Sequence, residues 1–298
     1  MGNLAAVIAE RPREGDLTWI FGSSRSGSTW LLRMLTEFDE LLPIDETGIG
    51  HHLGVWRPIP LAWATCDDPP ELSTFRTVKG SNPDYFFSDE HRDGWEPLLR
   101  DFVLDRLALQ RDGARRFVIK EPGGSQVADW VMSLLPGSRL VFLLRDGRDV
   151  VDSWLDAYQD GGWITEDGGF PVAPHGRVAF IKWQATVWRY RTEATQRAYD
   201  AHAPDRRVLV RYEELLADPA RELGRVLETI GLRVAPERVE EVAAKHAYEK
   251  VPAHERGVGK FVRSASPGSW CERLSGEEQE ALLDVLGDSV RRFGYRTG

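Results

Sequence analysis

A chain of 298 residues that is 42% hydrophobic and 29% charged has the composition of an ordinary globular protein, with apolar content for a sizeable core. Its net charge of -9 excludes a general nucleic-acid binder, so any anion site must be a local cluster of arginine and lysine. The longest apolar runs, such as 140–144, are strand-sized, which excludes a membrane-spanning helix. Residues 1–14 lack a charged-then-apolar signal architecture, Ala6 breaks the myristoylation pattern, and Cys66 and Cys271 make neither a disulfide framework nor a metal site. The expectation is a cytoplasmic protein.

In chain order, near-continuous apolar runs bounded by charge or turn residues predict strands over 17–22, 116–120, 139–145 and 207–212. Such runs suit strands buried on both faces of a parallel sheet. Helical patterns follow. The first, 29–38, carries apolar residues at Trp30, Leu31, Met34, Leu35 and Phe38, and 126–135 stops before Pro136-Gly137. Further helices are predicted over 149–158, 178–199, 221–230, 236–245 and 277–293. This alternation predicts an α/β three-layer sandwich around a central parallel sheet, with ligands at the carboxyl ends of the strands.

Two stretches break the alternation. Residues 48–96 carry Trp56, Trp63, Phe75, Tyr85, Phe86, Phe87 and Trp95 among many prolines, and these rings either shape an acceptor pocket or form a satellite core. Residues 159–176 are rich in glycine and proline and read as a mobile flap. No repeat or linker divides the chain, so a single domain over 1–298 is expected.

The segment Phe21-Gly22-Ser23-Ser24-Arg25-Ser26-Gly27-Ser28-Thr29-Trp30 fits the phosphate-loop pattern G-x-x-x-x-G-K-S/T, except that Ser28 stands where the lysine belongs. The cation sits inside the loop instead, at Arg25, whose planar fork can hold two oxygens at once. Backbone N–H groups from Gly27 to Trp30 open a helix, where an anion gains from unpaired donors and the helix dipole. Such a loop cradles an anion without the lysine that reaches β- and γ-phosphates. Asparagine occurs only at Asn3 and Asn82, so a guanine-reading Asn-Lys-x-Asp motif is absent. Asp146 is flanked by Arg145 and Gly147-Arg148, a cationic setting unsuited to magnesium.

With these residues in view, the sequence resembles the sulfotransferases that use 3′-phosphoadenosine 5′-phosphosulfate (PAPS). Their first motif, K/R-S/T-G-S/T-S/T-W, is matched throughout by Arg25-Ser26-Gly27-Ser28-Thr29-Trp30. The resemblance implies that this loop holds the 5′-phosphosulfate, with Trp30 against adenine. Arg145 at a strand end and Ser153 in the following helix match the pair that holds the 3′-phosphate. Tyr212-Glu213-Glu214-Leu215 resembles the strand end whose tyrosine touches adenosine. Phe261-Val262-Arg263 with Gly268-Ser269-Trp270 resembles the C-terminal segment whose arginine reaches the 3′-phosphate, although Ser264, Ala265 and Ser269 replace its usual Lys, Gly and Asp. The family's P-loop-like fold, PAPS as donor and adenosine 3′,5′-bisphosphate as product are therefore expected.

The resemblance divides at the catalytic base. Cytosolic members use a histidine in K-x-H-x-P, whereas here the strand ends Lys120-Glu121-Pro122. Lys120 matches the lysine that steadies the sulfuryl group. The branch that sulfates protein tyrosines uses a glutamate in Glu-Glu-Thr, and Asp45-Glu46-Thr47 places Glu46 at the same interval from the loop arginine. Glu46 is taken as the general base, with Glu121, His51 and His52 as alternatives. In-line attack of an acceptor hydroxyl on sulfur then needs Glu46, Lys120 and Arg25, and no metal. A small-molecule hydroxyl acceptor, aromatic or apolar, is expected. A P-loop small-molecule kinase and a non-catalytic nucleotide-binding protein remain the alternatives.

Overall fold

The computed structural model describes residues 10–57, 72–113, 115–262 and 266–296. Its main sheet has five parallel strands: β1 (Leu17–Phe21), β2 (Leu41–Asp45), β3 (Arg116–Lys120), β4 (Arg139–Leu144) and β5 (Arg207–Arg211). They lie in the order β2-β3-β1-β4-β5, with Thr18 of β1 paired to Val118 on one side and Arg139 on the other. The chain lays β2 and β3 on one side of β1, then crosses to β4 and β5. A crevice beyond the carboxyl ends of the strands results, where ligands bind in open α/β sheets.

Helices of seven residues or more are α1 (Ser28–Leu35), α2 (Arg92–Ala108), α3 (Ala128–Leu134), α4 (Gly147–Ala157), α5 (Arg177–Ala201), α6 (Pro219–Ile230), α7 (Pro236–Lys245) and α8 (Gly276–Arg292). Period-two alternation sends β1 side chains to two cores. Ile20 packs with Leu31 and Leu35 of α1, Val226 and Ile230 of α6, and Val242 of α7. Trp19 and Phe21 point to the other face, with Leu104 of α2 and Trp130 of α3. There Phe142 and Leu144 of β4 also meet Ile181 and Trp188 of α5 and Leu286 of α8. Each such side chain, fully buried, contributes about 1.5–3 kcal/mol. The predicted three-layer arrangement is thus present, with helices on both faces of a parallel sheet. No described helix is long and apolar enough to cross a membrane.

Several boundaries follow local chemistry. Asp146 caps α4 by accepting from the Arg148 N–H, and Asp218 caps α6 by accepting from the Arg221 N–H ahead of Pro219 at the first position. Ser275 and Glu278 form a reciprocal capping box on α8.

Three features depart from the sequence expectation. Leu41–Asp45 is a strand, although Pro43 argues against one. It is an edge strand paired only with β3, and proline is tolerated at edges because its missing donor faces away from a ladder. Residues 92–108, partly inside the supposed excursion, form helix α2 with Pro97 in its second turn. Trp95 is a core residue and partly buried Phe87 packs against the same core; these two rings and Trp130 meet edge-to-face at separations of 5.4–5.6 Å. Trp63 lies outside the described residues.

Candidate active site

The loop after β1 needs glycine at two places. A Cβ on Gly22 would overlap the Leu143 carbonyl of β4, and Gly27, at φ 89°, would put a Cβ 2.7 Å from the Tyr212 ring. Close packing there draws the loop against β4 and the β5 end. Gly27→Ala should therefore destabilise the fold by roughly 1–2 kcal/mol from the left-handed backbone alone, with the collision added. A lowered thermal midpoint is the expected reading; an unchanged one would contradict the tight fit. Arg25 also adopts a left-handed conformation, φ 70°, unusual for a residue with a side chain. Gly27 caps α1 without a side-chain acceptor, so the first N–H groups of the helix face the loop.

The loop arginine and the arginine that follows β4 meet. Arg145 donates from Nη1 to the Arg25 carbonyl at 2.7 Å, and its guanidinium lies 4.3 Å from the Tyr212 ring centre. Arg25 donates from Nε to Ser153 Oγ at 3.1 Å and from Nη2 to the Phe261 carbonyl at 2.9 Å. Arg25, Gly27, Ser28, Thr29, Trp30, Arg145, Ser153 and Tyr212 all line one cavity of about 330 Å³. That lies at the lower end of the range for small-ligand sites, roughly 300–1,000 Å³. Trp30 and Tyr212 meet edge-on in its wall at 6.3 Å, and Trp30 Nε1 donates to the His246 carbonyl. Arg145 is only 6% exposed, and its Nε, like the buried Ser26 hydroxyl, has no hydrogen-bond partner among the described residues. Buried polar atoms of this kind are costly unless a ligand or water satisfies them.

Further wall residues were not legible from motifs. The stretch from Lys245 to Pro252 lines the cavity, and Trp163 of the supposed flap packs on Phe261. Those two rings flank Arg25, with its guanidinium 5.6 Å and 5.0 Å from their centres. The Trp163 N–H donates to the Gly259 carbonyl, joining the 159–176 stretch to the C-terminal segment. Within that segment the Gly268 N–H donates to buried Asp149, whose carboxyl burial pushes up. Arg263 lies outside the described residues.

Lys120 and Glu46 do not line this cavity; they adjoin it through Thr29. The Lys120 ammonium, its side chain 5% exposed, touches Thr29 Oγ1 at 3.2 Å, Glu46 Oε1 at 3.0 Å and Asp45 Oδ1 at 2.6 Å. Parallel pairing of β2 with β3 sets Asp45 beside Lys120, and the chain then turns at Glu46 with φ 54°. The Glu46 side chain is 49% exposed. Glu121 differs in every respect: it is 1% exposed, and its Oε2 accepts from the Thr47 hydroxyl at 2.7 Å and the Gly48 N–H at 3.2 Å. Burial pushes the Glu121 carboxyl above its ordinary value, against those hydrogen bonds. His51 and His52 are exposed and stacked edge-on. Trp56 meets Tyr190 edge-on at 5.0 Å. No cluster of metal-ligating side chains occurs among the described residues.

This architecture has known counterparts. The chain is similar to a mouse sulfotransferase complexed with PAP, at 12% identity and a TM-score of 0.54, over 95% of this chain and 88% of that one. It is similar to a Mycobacterium avium sulfotransferase at 15% identity and a TM-score of 0.53, over 97% of this chain and 78% of that one. At this identity the likeness speaks for the fold alone. A Caenorhabditis briggsae protein named "Putative protein-tyrosine sulfotransferase" is 20% identical over 207 residues, 68% of this chain and 69% of its own length. The sequence model described as "Sulfotransferase family" matches residues 18–236, from β1 to the start of α7 and so through every strand of the sheet. With most of its length covered by that match, the chain belongs to the sulfotransferase family.

Proposed function

We propose that the chain transfers the sulfuryl group of PAPS to a hydroxyl of a small-molecule acceptor, releasing adenosine 3′,5′-bisphosphate, with Glu46 as general base. The observation that carries this reading is that Arg25, Arg145 and Ser153 line one cavity walled by Trp30 and Tyr212. Two cationic grips around one cavity suit a ligand with separate anionic arms and a flat base between. The Arg145 Nε, without a partner among the described residues, fits a phosphate oxygen, whereas buried Ser26 is not among the residues that line the cavity. Arg25 and the Ser28–Trp30 N–H groups would hold the 5′ arm; Arg145, Ser153 and the segment bearing Arg263 would hold the 3′ arm. The bound donor supplies an electrophilic sulfur on a phosphate leaving group.

In the transfer, the acceptor oxygen bonds to sulfur, the sulfur–phosphate oxygen bond breaks, and the acceptor proton passes to Glu46. Lys120, anchored by Thr29 at the loop, stands where charge on the transferring group grows. Half-exposed Glu46 is reachable by an acceptor, whereas Glu121 is enclosed and committed to Thr47 and Gly48. Glu121 is therefore a positioning residue for the turn that carries Glu46.

A second reading of the acceptor, a tyrosine in a protein, is favoured by the Caenorhabditis briggsae relative. Incubation with labelled PAPS and either small phenols or tyrosine peptides, read by mass, separates the two. Thermal stabilisation by the bisphosphate but not by ATP with magnesium is expected of the donor site; the reverse would point to a kinase.

Glu121→Gln should keep turnover within about threefold. Its stability signature has a definite sign. A carboxyl held above its unfolded value of about 4.3 contributes stability below that pH and loses it as pH rises through the folded value. Glutamine has no such dependence. The difference in melting temperature, variant minus parent, should therefore grow more positive from pH 5 to pH 8. A flat difference would show that burial does not hold Glu121 against ionisation.

A further inference from the structure

Beyond the residues that the motifs single out, one cation joins the segments on which the chemistry rests. Arg191, in the middle of α5, reaches two of them through three hydrogen bonds. Nε donates to Gln126 Oε1 at 3.2 Å, Nη1 to Ser24 Oγ at 3.2 Å, and Nη2 to the Gly123 carbonyl at 3.1 Å. Ser24 belongs to the anion loop, and Gly123 and Gln126 to the turn after β3. Gln126 in turn donates to the Gly54 carbonyl at 3.4 Å, beyond the base-bearing turn. The same joint is tied from below, where Ser125 Oγ accepts from the Gly22 N–H and donates to the Gly22 carbonyl.

Gly123 is the link to the base. A Cβ built on it would lie 3.4 Å from Glu46 Oε2, so the residue whose carbonyl Arg191 grips is a near neighbour of that carboxylate. Four charged groups thus face Glu46. Lys120 contacts Oε1, Asp45 shares that lysine, Glu121 lies under the turn, and Arg191 attracts Glu46 from the Gly123 side. Lys120 divides its ammonium among Thr29, Asp45 and Glu46, whereas Arg191 is held by three acceptors outside that group. Burial lowers the Arg191 guanidinium to about 10, and it remains cationic at neutral pH.

We propose that Arg191 is a positioning residue for sulfuryl transfer: it sets the anion loop in register with Glu46 and keeps a fixed cation behind that carboxylate while Lys120 is engaged. The inference rests on Glu46 being the base. A geometric fork is needed for the first task and only a charge for the second, which separates arginine from lysine.

The test compares Arg191→Gln, Arg191→Lys and Ser24→Ala with Glu46→Gln in the full chain. In Arg191→Gln, kcat should fall about tenfold or more, while bisphosphate affinity by calorimetry stays within about threefold, because Arg145 and Ser153 are untouched. Losing a cation behind the base favours its protonated form, so the acid limb of the kcat profile should move to higher pH. Arg191→Lys should restore the limb but not the full kcat. Should Arg191→Gln fail to fold, Arg191→Lys and Ser24→Ala carry the test: each should lower kcat without moving the limb or the bisphosphate affinity. Parental kcat in those variants, or an Arg191→Gln limb that stays in place, overturns the proposal. A Glu46→Gln enzyme with parental turnover would instead overturn the base assignment, and the two failures are read separately.

Discussion

Glu46→Gln is expected to lower turnover by about 10²–10⁴-fold, the range general-base catalysis supplies, while bisphosphate affinity stays within about threefold. Glutamine has nearly the same size and can still accept from Lys120 through its carbonyl, so the ion-pair geometry at 3.0 Å has a neutral substitute. What it lacks is the capacity to take a proton. The reacting end of the site is otherwise unchanged, because Glu46 does not line the cavity of Arg25 and Arg145. Steady-state rates with PAPS and an accepted hydroxyl compound, beside calorimetry with the bisphosphate, check both halves. Full turnover in the variant would remove Glu46 from the chemistry and turn attention to Glu121, His51 and His52. The backbone sharpens the expectation: a glutamate at φ 54° is held in a sparsely populated conformation, which surrounding structure must maintain.

The second large effect belongs to Arg145→Ala, which should weaken bisphosphate binding by about tenfold to 100-fold. A charge-assisted hydrogen bond is worth roughly 1.5–3 kcal/mol, and the 3′ arm would lose its buried cation. The substitution also removes the donor to the Arg25 carbonyl at 2.7 Å and uncovers the Tyr212 ring beneath it. The loop cation is then supported by Ser153 and the Phe261 carbonyl without its tie to β4. Arg145→Lys should fall between the two, since it keeps the charge and loses the planar stacking. Calorimetry on variants with melting temperatures near the parent's is the measurement. Parental affinity in Arg145→Ala would mean that this side chain serves the fold and not the donor.

Much of this site was legible because its parts are local. Gly22 to Trp30 is one strand–loop–helix unit, and its glycines mark the places where the backbone turns left-handed or approaches a neighbour. Arg145 and Ser153 fall on a strand end and the helix behind it, a spacing that brings both to one spot. The predicted helix 236–245 matches α7 because Pro236 starts it and apolar spacing carries it through. Strand β2 was not legible, since Pro43 reads as a breaker until the edge position is known. Nor were Trp163 and the stretch after Lys245, whose part depends on segments far apart in the chain.

The amino-acid order alone determined the parallel-strand cores, the glycine-bearing loop after β1, most of the helices and the placing of Arg25, Arg145 and Ser153, because each is written in periodicity or spacing over about a dozen residues. Tertiary structure alone decided that Asp45 and Glu46 share Lys120 while Glu121 is enclosed, that Trp95 is core with Phe87 packed against it, and that Arg191 reaches Ser24 and Gly123 from a helix some 70 to 170 positions later in the chain. Contacts at that separation follow from strand order and from which face each helix covers. Those are settled only when apolar surfaces are buried together, not by any short pattern in the chain.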